Sequence, residues 1–287
     1  MRNNILKILS IICLISCTSC QTKDKNVVQE DEKKMIVEKN GKTLQTRILV
    51  PQGYTRTKVK KKSLGTFLRQ YSLKEDGSPI LLYNGEKRSR QNNHIAIFQL
   101  PLENADLQQC ADSIMRVYAE YFYQTKQYHK ISFHFVNGFE AKYSKWRKGY
   151  GISVNGDYVK WVKTSQEHTS YESFQKYLRI VFSYASTLSM DKESKPIQTS
   201  QIQIGDVFLK DGSPGHVVMI VDVCENKSGK KAFLLAQGYM PAQEFHILKN
   251  MKHEDDPWYY EDEVTYPFIT PEYIFEKGSL KHLVYER

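Results

Sequence analysis

Cys110 and His216 are the two side chains whose type and setting point to covalent chemistry. A thiolate is the nucleophilic form of cysteine, and it forms near neutral pH only where its surroundings favour the negative charge. Leu107, Cys110, Ala111, Ile114, Val117, Tyr118, Tyr121 and Phe122 recur at the spacing of one helical face. Asp106, with Gln109 three residues later, fits a capping box, which puts Cys110 at the fourth helical residue. There, free N–H groups and the helix dipole favour a thiolate. His216 directly follows Pro214 and Gly215 and opens a strongly apolar run. An imidazole at that point stands at the rim of a sheet, where it can act as base for a cysteine. Each residue also has a plain structural role open to it: Cys110 as a small core residue beside Ile114 and Tyr118, His216 as a hydrogen-bonding group after a turn.

The elements that must position them are legible in outline. Ile204–Leu209 reads as a strand, Asp211–Gly215 as a turn, His216–Val223 as a buried strand and Ala232–Gln237 as its partner after a turn at Lys227–Lys230. This is a three-stranded antiparallel meander. With the second turn centred near Ser228, Gln237 faces residue 219 and His216 faces residue 240. Gln237 then lies within about three residue steps of His216, roughly 10 Å, and is the candidate for orienting the imidazole; Tyr239 is as close in register. Cys224 stands eight residues from His216, about 27 Å along an extended strand, and reads as a strand-end thiol. A Cys110–Cys224 disulfide would remove the nucleophile.

Elsewhere, Thr46–Val50, Pro79–Tyr83, His94–Leu100 and Ile131–Val136 read as strands. Ser63–Tyr71 and Tyr171–Leu188, capped by Ser63 and Ser170, read as helices. Asp206 is a candidate anchor for the turn before His216, and Arg116 and Glu120 a candidate ion pair on one helical face. Trp146, Tyr150, Trp161, Trp258 and Tyr259 are side chains that stack on sugars or pack in a core.

The chain has 287 residues, 41 Lys and Arg against 32 Asp and Glu, and 40% hydrophobic residues, a composition that excludes a multi-span membrane protein and a wholly disordered chain. No cofactor or metal is expected. The histidines lack zinc-protease spacing, no cysteine pair has zinc spacing, and no Gly-rich phosphate loop occurs. Lys58 and Lys60–Lys62 lack the pattern of a nucleic-acid module.

The first residues form a processing signal: Arg2 and Lys7 precede an apolar stretch, Ile5–Ile15, too short to span a bilayer. Leu14-Ile15-Ser16-Cys17 resembles the lipobox of bacterial lipoproteins, which implies cleavage after residue 16 and acylation of Cys17, with Cys20 as the second choice. Cleavage lowers the formal net charge from +9 to +7. Residues 17–43 are expected to be a flexible tether, and residues 44–287 a single α+β domain outside the cytoplasm, held to a bacterial membrane, the outer one by preference.

The succession Gln109-Cys110 opening a helix, Ile204-Gly205-Asp206-Val207-Phe208, then Gly215-His216-Val217-Val218-Met219-Ile220-Val221 resembles CHAP and NlpC-type amidases, papain-like hydrolases of peptidoglycan amide bonds. The resemblance implies a helix packed on an antiparallel sheet with inserted segments. Cys110 would be the nucleophile, His216 the base and Gln237 the third polar residue, with Gln109 contributing to an oxyanion site and cell-wall peptides as substrate. Gln237 stands where that family usually carries Asn, Asp, Glu or His, and some 90 residues separate Cys110 from Ile204. Leu107–Asp112, Gly205–Phe208, Ser213–His216 and Leu234–Gln237 with Tyr239–Gln243 also resemble a family of exported bacterial proteins of unknown function. The competing expectation is a non-catalytic envelope lipoprotein that binds glycan, peptide or a partner protein through the same groove.

Overall fold

A computed structural model describes residues 36–164 and 167–286. The signal segment, Cys17, Cys20 and the first part of the expected tether lie outside the described residues. Lys34–Arg287 form one compact unit that contains the whole sheet and both apolar cores, and so is self-contained. Ile36 and Val37 already belong to this body: Leu49 N–H donates to Ile36 O, and Val37 bridges Ile48. Residues 36–43, expected to be part of a tether, therefore belong to the folded body, because Ile36 packs against the core.

The fold is α+β, with helices packed against a large antiparallel sheet. Seven strands lie side by side in the order His94–Ile97, His246–Leu248, Lys231–Gln237, His216–Asn226, Val207–Lys210, Leu280–Leu283 and Ser194–Pro196. Tyr54–Arg56 and Tyr259–Tyr260 add to it from the sides. The expected meander is its centre. Along the His216 strand, Val217, Met219 and Val221 face the larger core, which includes Ile114, Val117 and Tyr118 of the helix Cys110–Gln124. Val218 and Ile220 face a smaller core with Phe208, Phe268 and Phe275. Burial on both faces explains why this strand is apolar without alternation.

Five local expectations need correction: Pro79–Tyr83 forms only isolated bridges at Leu81 and Leu82, and Tyr171–Leu188 is interrupted, its helix ending at Tyr184 before a separate one, Thr187–Lys192. The helix Cys110–Gln124 starts at Cys110 with Gln109 as its N-cap, rather than at Leu107 behind Asp106. Asp106 instead accepts hydrogen bonds from Gln109 Nε2 at 3.0 Å and from the Ala242 N–H at 2.6 Å, and Asp112 takes over the capping role by accepting the Gln109 N–H at 3.2 Å. Thr46–Val50 is no strand, since Leu44–Arg47 is a single helical turn. The register of the hairpin also slips by one. A bulge between Leu234 and Leu235 sets Ala236, not Gln237, opposite Met219, as an extra residue in one strand requires. Ser63 and Ser170 do cap their helices, accepting from Thr66 N–H and Ser173 N–H. Among the described residues, no helix is long and apolar enough to cross a membrane.

Candidate functional site

Cys110 is the first helical residue, one position closer to the dipole's positive end than any interior site. The helix start is pressed against the end of the Gln237 strand. A Cβ on Gly238 would fall 2.2 Å from Ser113 Oγ and 2.9 Å from Gln109 O, so only glycine lets the two backbones come this close. The N–H groups of Ala111 and of Val217, the residue after His216, both favour negative charge on the Cys110 sulfur. Burial nevertheless dominates: the residue is 6% exposed, and desolvation pushes the thiol up to about 12, with nearby Asp112 adding to the rise. The low thiol pKa expected from the helix start is absent in this closed arrangement, because a few N–H groups do not offset removal of water.

His216 is 1% exposed, and burial pulls its imidazole down to about 4. Its Nε2 lies 2.7 Å from Gln237 Oε1. Gln237 Nε2 in turn donates to Glu272 Oε2 at 2.7 Å. Glu272 Oε1 accepts from Arg88 Nη2 at 2.5 Å and from Asn93 Nδ2 at 3.0 Å. Burial raises the Glu272 pKa, but Asn93 and Arg88 outweigh it and hold the carboxyl below its ordinary range. An ionised carboxylate only accepts, so the Gln237 amide must turn its NH2 to Glu272 and its carbonyl to His216. That carbonyl needs a donor, so the neutral imidazole carries its proton on Nε2 and leaves Nδ1 with a lone pair. The chain Arg88–Glu272–Gln237–His216 therefore selects the tautomer that a base acting through Nδ1 requires.

The thiol and imidazole reach the start of the His216 strand from its two faces. Cys110 belongs to the core on the helix side. The His216 ring is in phase with Val218 and Ile220 and lies 4.9 Å from Tyr239, 4.9 Å from Tyr273 and 6.1 Å from Phe275. The Val217 N–H, next in the chain to His216, faces the sulfur, and both phenols feel the thiol electrostatically. No Cys110–His216 hydrogen bond occurs among the described residues. Tyr273 is pinned across the strand entrance by its hydroxyl, which donates to Pro214 O at 3.2 Å. Gln109, the oxyanion candidate, has its side-chain amide held by Asp106.

Other expected groups fall elsewhere. Cys224 is buried at the far end of the same strand, opposite Ala232, and neither it nor Cys110 forms a disulfide. Asp206 does not anchor the turn before His216; it accepts from the Gln203 N–H at 2.8 Å and pairs with His282 Nδ1 at 2.6 Å. Arg116 and Glu120 do pair, at 3.3 Å, but as a buried cluster with Glu103 and Gln108 rather than on a solvated face. Trp258 and Trp146 are core residues whose indole N–H groups bond Leu49 O and Ser173 Oγ, and Tyr259 is buried against Phe233. Among the described residues, no group of three or more His, Cys, Asp and Glu is placed to hold a metal ion. Glu272, Arg88 and Asn93 were not marked by any sequence pattern; Glu272 sits in the loop Thr270–Tyr273, which has no periodicity to read.

No curated protein and no solved structure matches the chain. A family model described as a domain of unknown function, DUF4846, matches residues 44–282. That span takes in the Cys110 helix, the whole central meander and the Glu272 loop, so the chain belongs to the DUF4846 family.

Proposed function

We propose that this chain is a papain-like cysteine amidase of the CHAP and NlpC type, acting on cell-wall peptides and anchored by lipid at Cys17 to the outer membrane of a bacterium. The observation that carries the reading is the 2.7 Å contact between His216 Nε2 and Gln237 Oε1, locked by Glu272. It leaves Nδ1 as the proton acceptor, the requirement for activating a thiol. In the reaction, His216 Nδ1 takes the Cys110 proton and the sulfur attacks the amide carbonyl. The C–N bond then breaks as the imidazolium protonates the departing amine, and water hydrolyses the thioester. N–H groups at the start of the Cys110 helix, with Gln109, are the donors for the oxyanion. In the resting state the thiol and the imidazole are both neutral and buried, and substrate binding must move the Tyr239 and Tyr273 rings away from His216 and bring the two groups together.

One observation favours a non-catalytic, ligand-binding lipoprotein instead: both reacting groups are buried. The two readings separate on Lys34–Arg287 by iodoacetamide labelling of Cys110 from pH 5 to 9, with amine release from stem peptides. Tyr273→Ala is expected to speed labelling at pH 7 about tenfold, the effect of one unit of thiol pKa. Cys110→Ala and His216→Ala are expected to abolish amine release. Stem-peptide binding without amine release, by both the wild type and Tyr273→Ala, would establish the binding reading.

A further inference from the structure

The long segment between the Cys110 helix and the central meander carries a two-stranded sheet of its own, Tyr150–Asn155 paired with Tyr158–Lys163, which joins no other strand among the described residues. We infer that this hairpin is a docking surface for anionic phospholipid headgroups. From residue 141 to 164 the sequence has six basic residues and a single acidic one, Asp157. Lys142 is paired with Glu140. Lys145, Lys148, Lys160 and Lys163 have no carboxylate within ion-pair distance among the described residues. Two of them converge at the open end of the hairpin: the Lys145 and Lys163 ammonium groups lie 5.1 and 4.9 Å from the Tyr150 ring, and Lys163 Nζ donates to the backbone O of Lys148 at 2.6 Å. Ammonium groups gathered on one ring repel one another unless an anion joins them.

The outer face of the hairpin decides between a membrane and a soluble polyanion. Tyr158 is 65% exposed and Val162 38% exposed, and alternation sets both on the same face as Lys160. On that face the Lys160 ammonium stands between a phenol and an aliphatic group, which matches the boundary between headgroups and acyl chains; a soluble polyanion offers nothing apolar to meet them. This inference does not depend on the amidase reading.

The test uses Lys34–Arg287 with vesicles of phosphatidylcholine alone, vesicles of phosphatidylcholine mixed with phosphatidylglycerol, and soluble polyglutamate. Binding is expected to the mixed vesicles only and to fall with added salt. Each lysine near an anionic surface contributes roughly fivefold, so K145Q/K148Q/K160Q/K163Q is expected to weaken binding by several hundredfold without changing the melting temperature. Tyr158→Ser with Val162→Ser is expected to weaken vesicle binding further at high salt. Equal binding to neutral vesicles, retention of binding by the quadruple variant, or polyglutamate binding as tight as that to mixed vesicles would overturn the proposal.

Discussion

At the scale of single residues, the informative group is Glu272, which touches neither the thiol nor the imidazole. Its ionised carboxylate orients Gln237, and Gln237 sets the proton on His216. Glu272→Gln keeps the shape but can present an NH2 group to Gln237, so the amide is free to turn over and the imidazole tautomer is no longer selected. The expected outcome is a change in the 15N shifts of His216 from an Nε2–H form to a mixture, with Cys110 labelling affected and the fold retained. Unchanged shifts would remove Glu272 from any positioning role. Cys110, His216 and Gln237 stood out in the sequence because each sits at an element boundary that local pattern marks. Glu272 did not, since its partners lie 35 residues away at Gln237 and 184 away at Arg88.

At the scale of elements, the site depends on two close approaches that no propensity scale records. The bulge between Leu234 and Leu235 advances the end of the strand by one residue, which corrects the register inferred from a regular hairpin. Gly238 then lets that strand end pass against the first turn of the Cys110 helix. Gly238→Ala would force apart Ser113 and Gln109 from the strand, and the expected cost is about 1–3 kcal/mol, measured as a lower urea midpoint. Cys110 labelling should rise in the same variant as the helix start lifts from the sheet. The capping change has a similar origin. Asp106 matched the capping pattern in sequence, but the Ala242 N–H from a distant loop competes for its carboxylate, and Asp112 caps in its place.

At the scale of the whole molecule, buried ionisable groups tie stability to pH. His216 and His246 are both pulled down to about 4 by burial from an ordinary value of 6.5. The unfolded chain therefore binds protons that the folded chain refuses, and the stability these groups contribute is present above pH 6.5 and lost as pH falls toward 4. Asp112 and Asp206 are raised by burial, to about 8 and about 6, and act with the opposite sign. Comparison with His216→Gln isolates the histidine. Relative to that variant, the wild type should lose on the order of a few kcal/mol of unfolding free energy between pH 7 and pH 4.5, measured by urea titration at each pH. A constant difference across this range would mean that His216 is not excluded from solvent.

The amino-acid sequence alone determined the central meander, the helix that begins near Cys110 and two of its companion helix caps, because strand alternation, helical periodicity and Ser caps are properties of neighbouring residues. It also determined which thiol and which imidazole were worth comparing. Only the tertiary structure decided that the imidazole lies against Tyr239 and Tyr273, that burial keeps both the thiol and the imidazole neutral, and that Glu272 governs the imidazole. Desolvation and hydrogen bonding between remote segments depend on what surrounds a side chain in space, and chain order does not encode that locally.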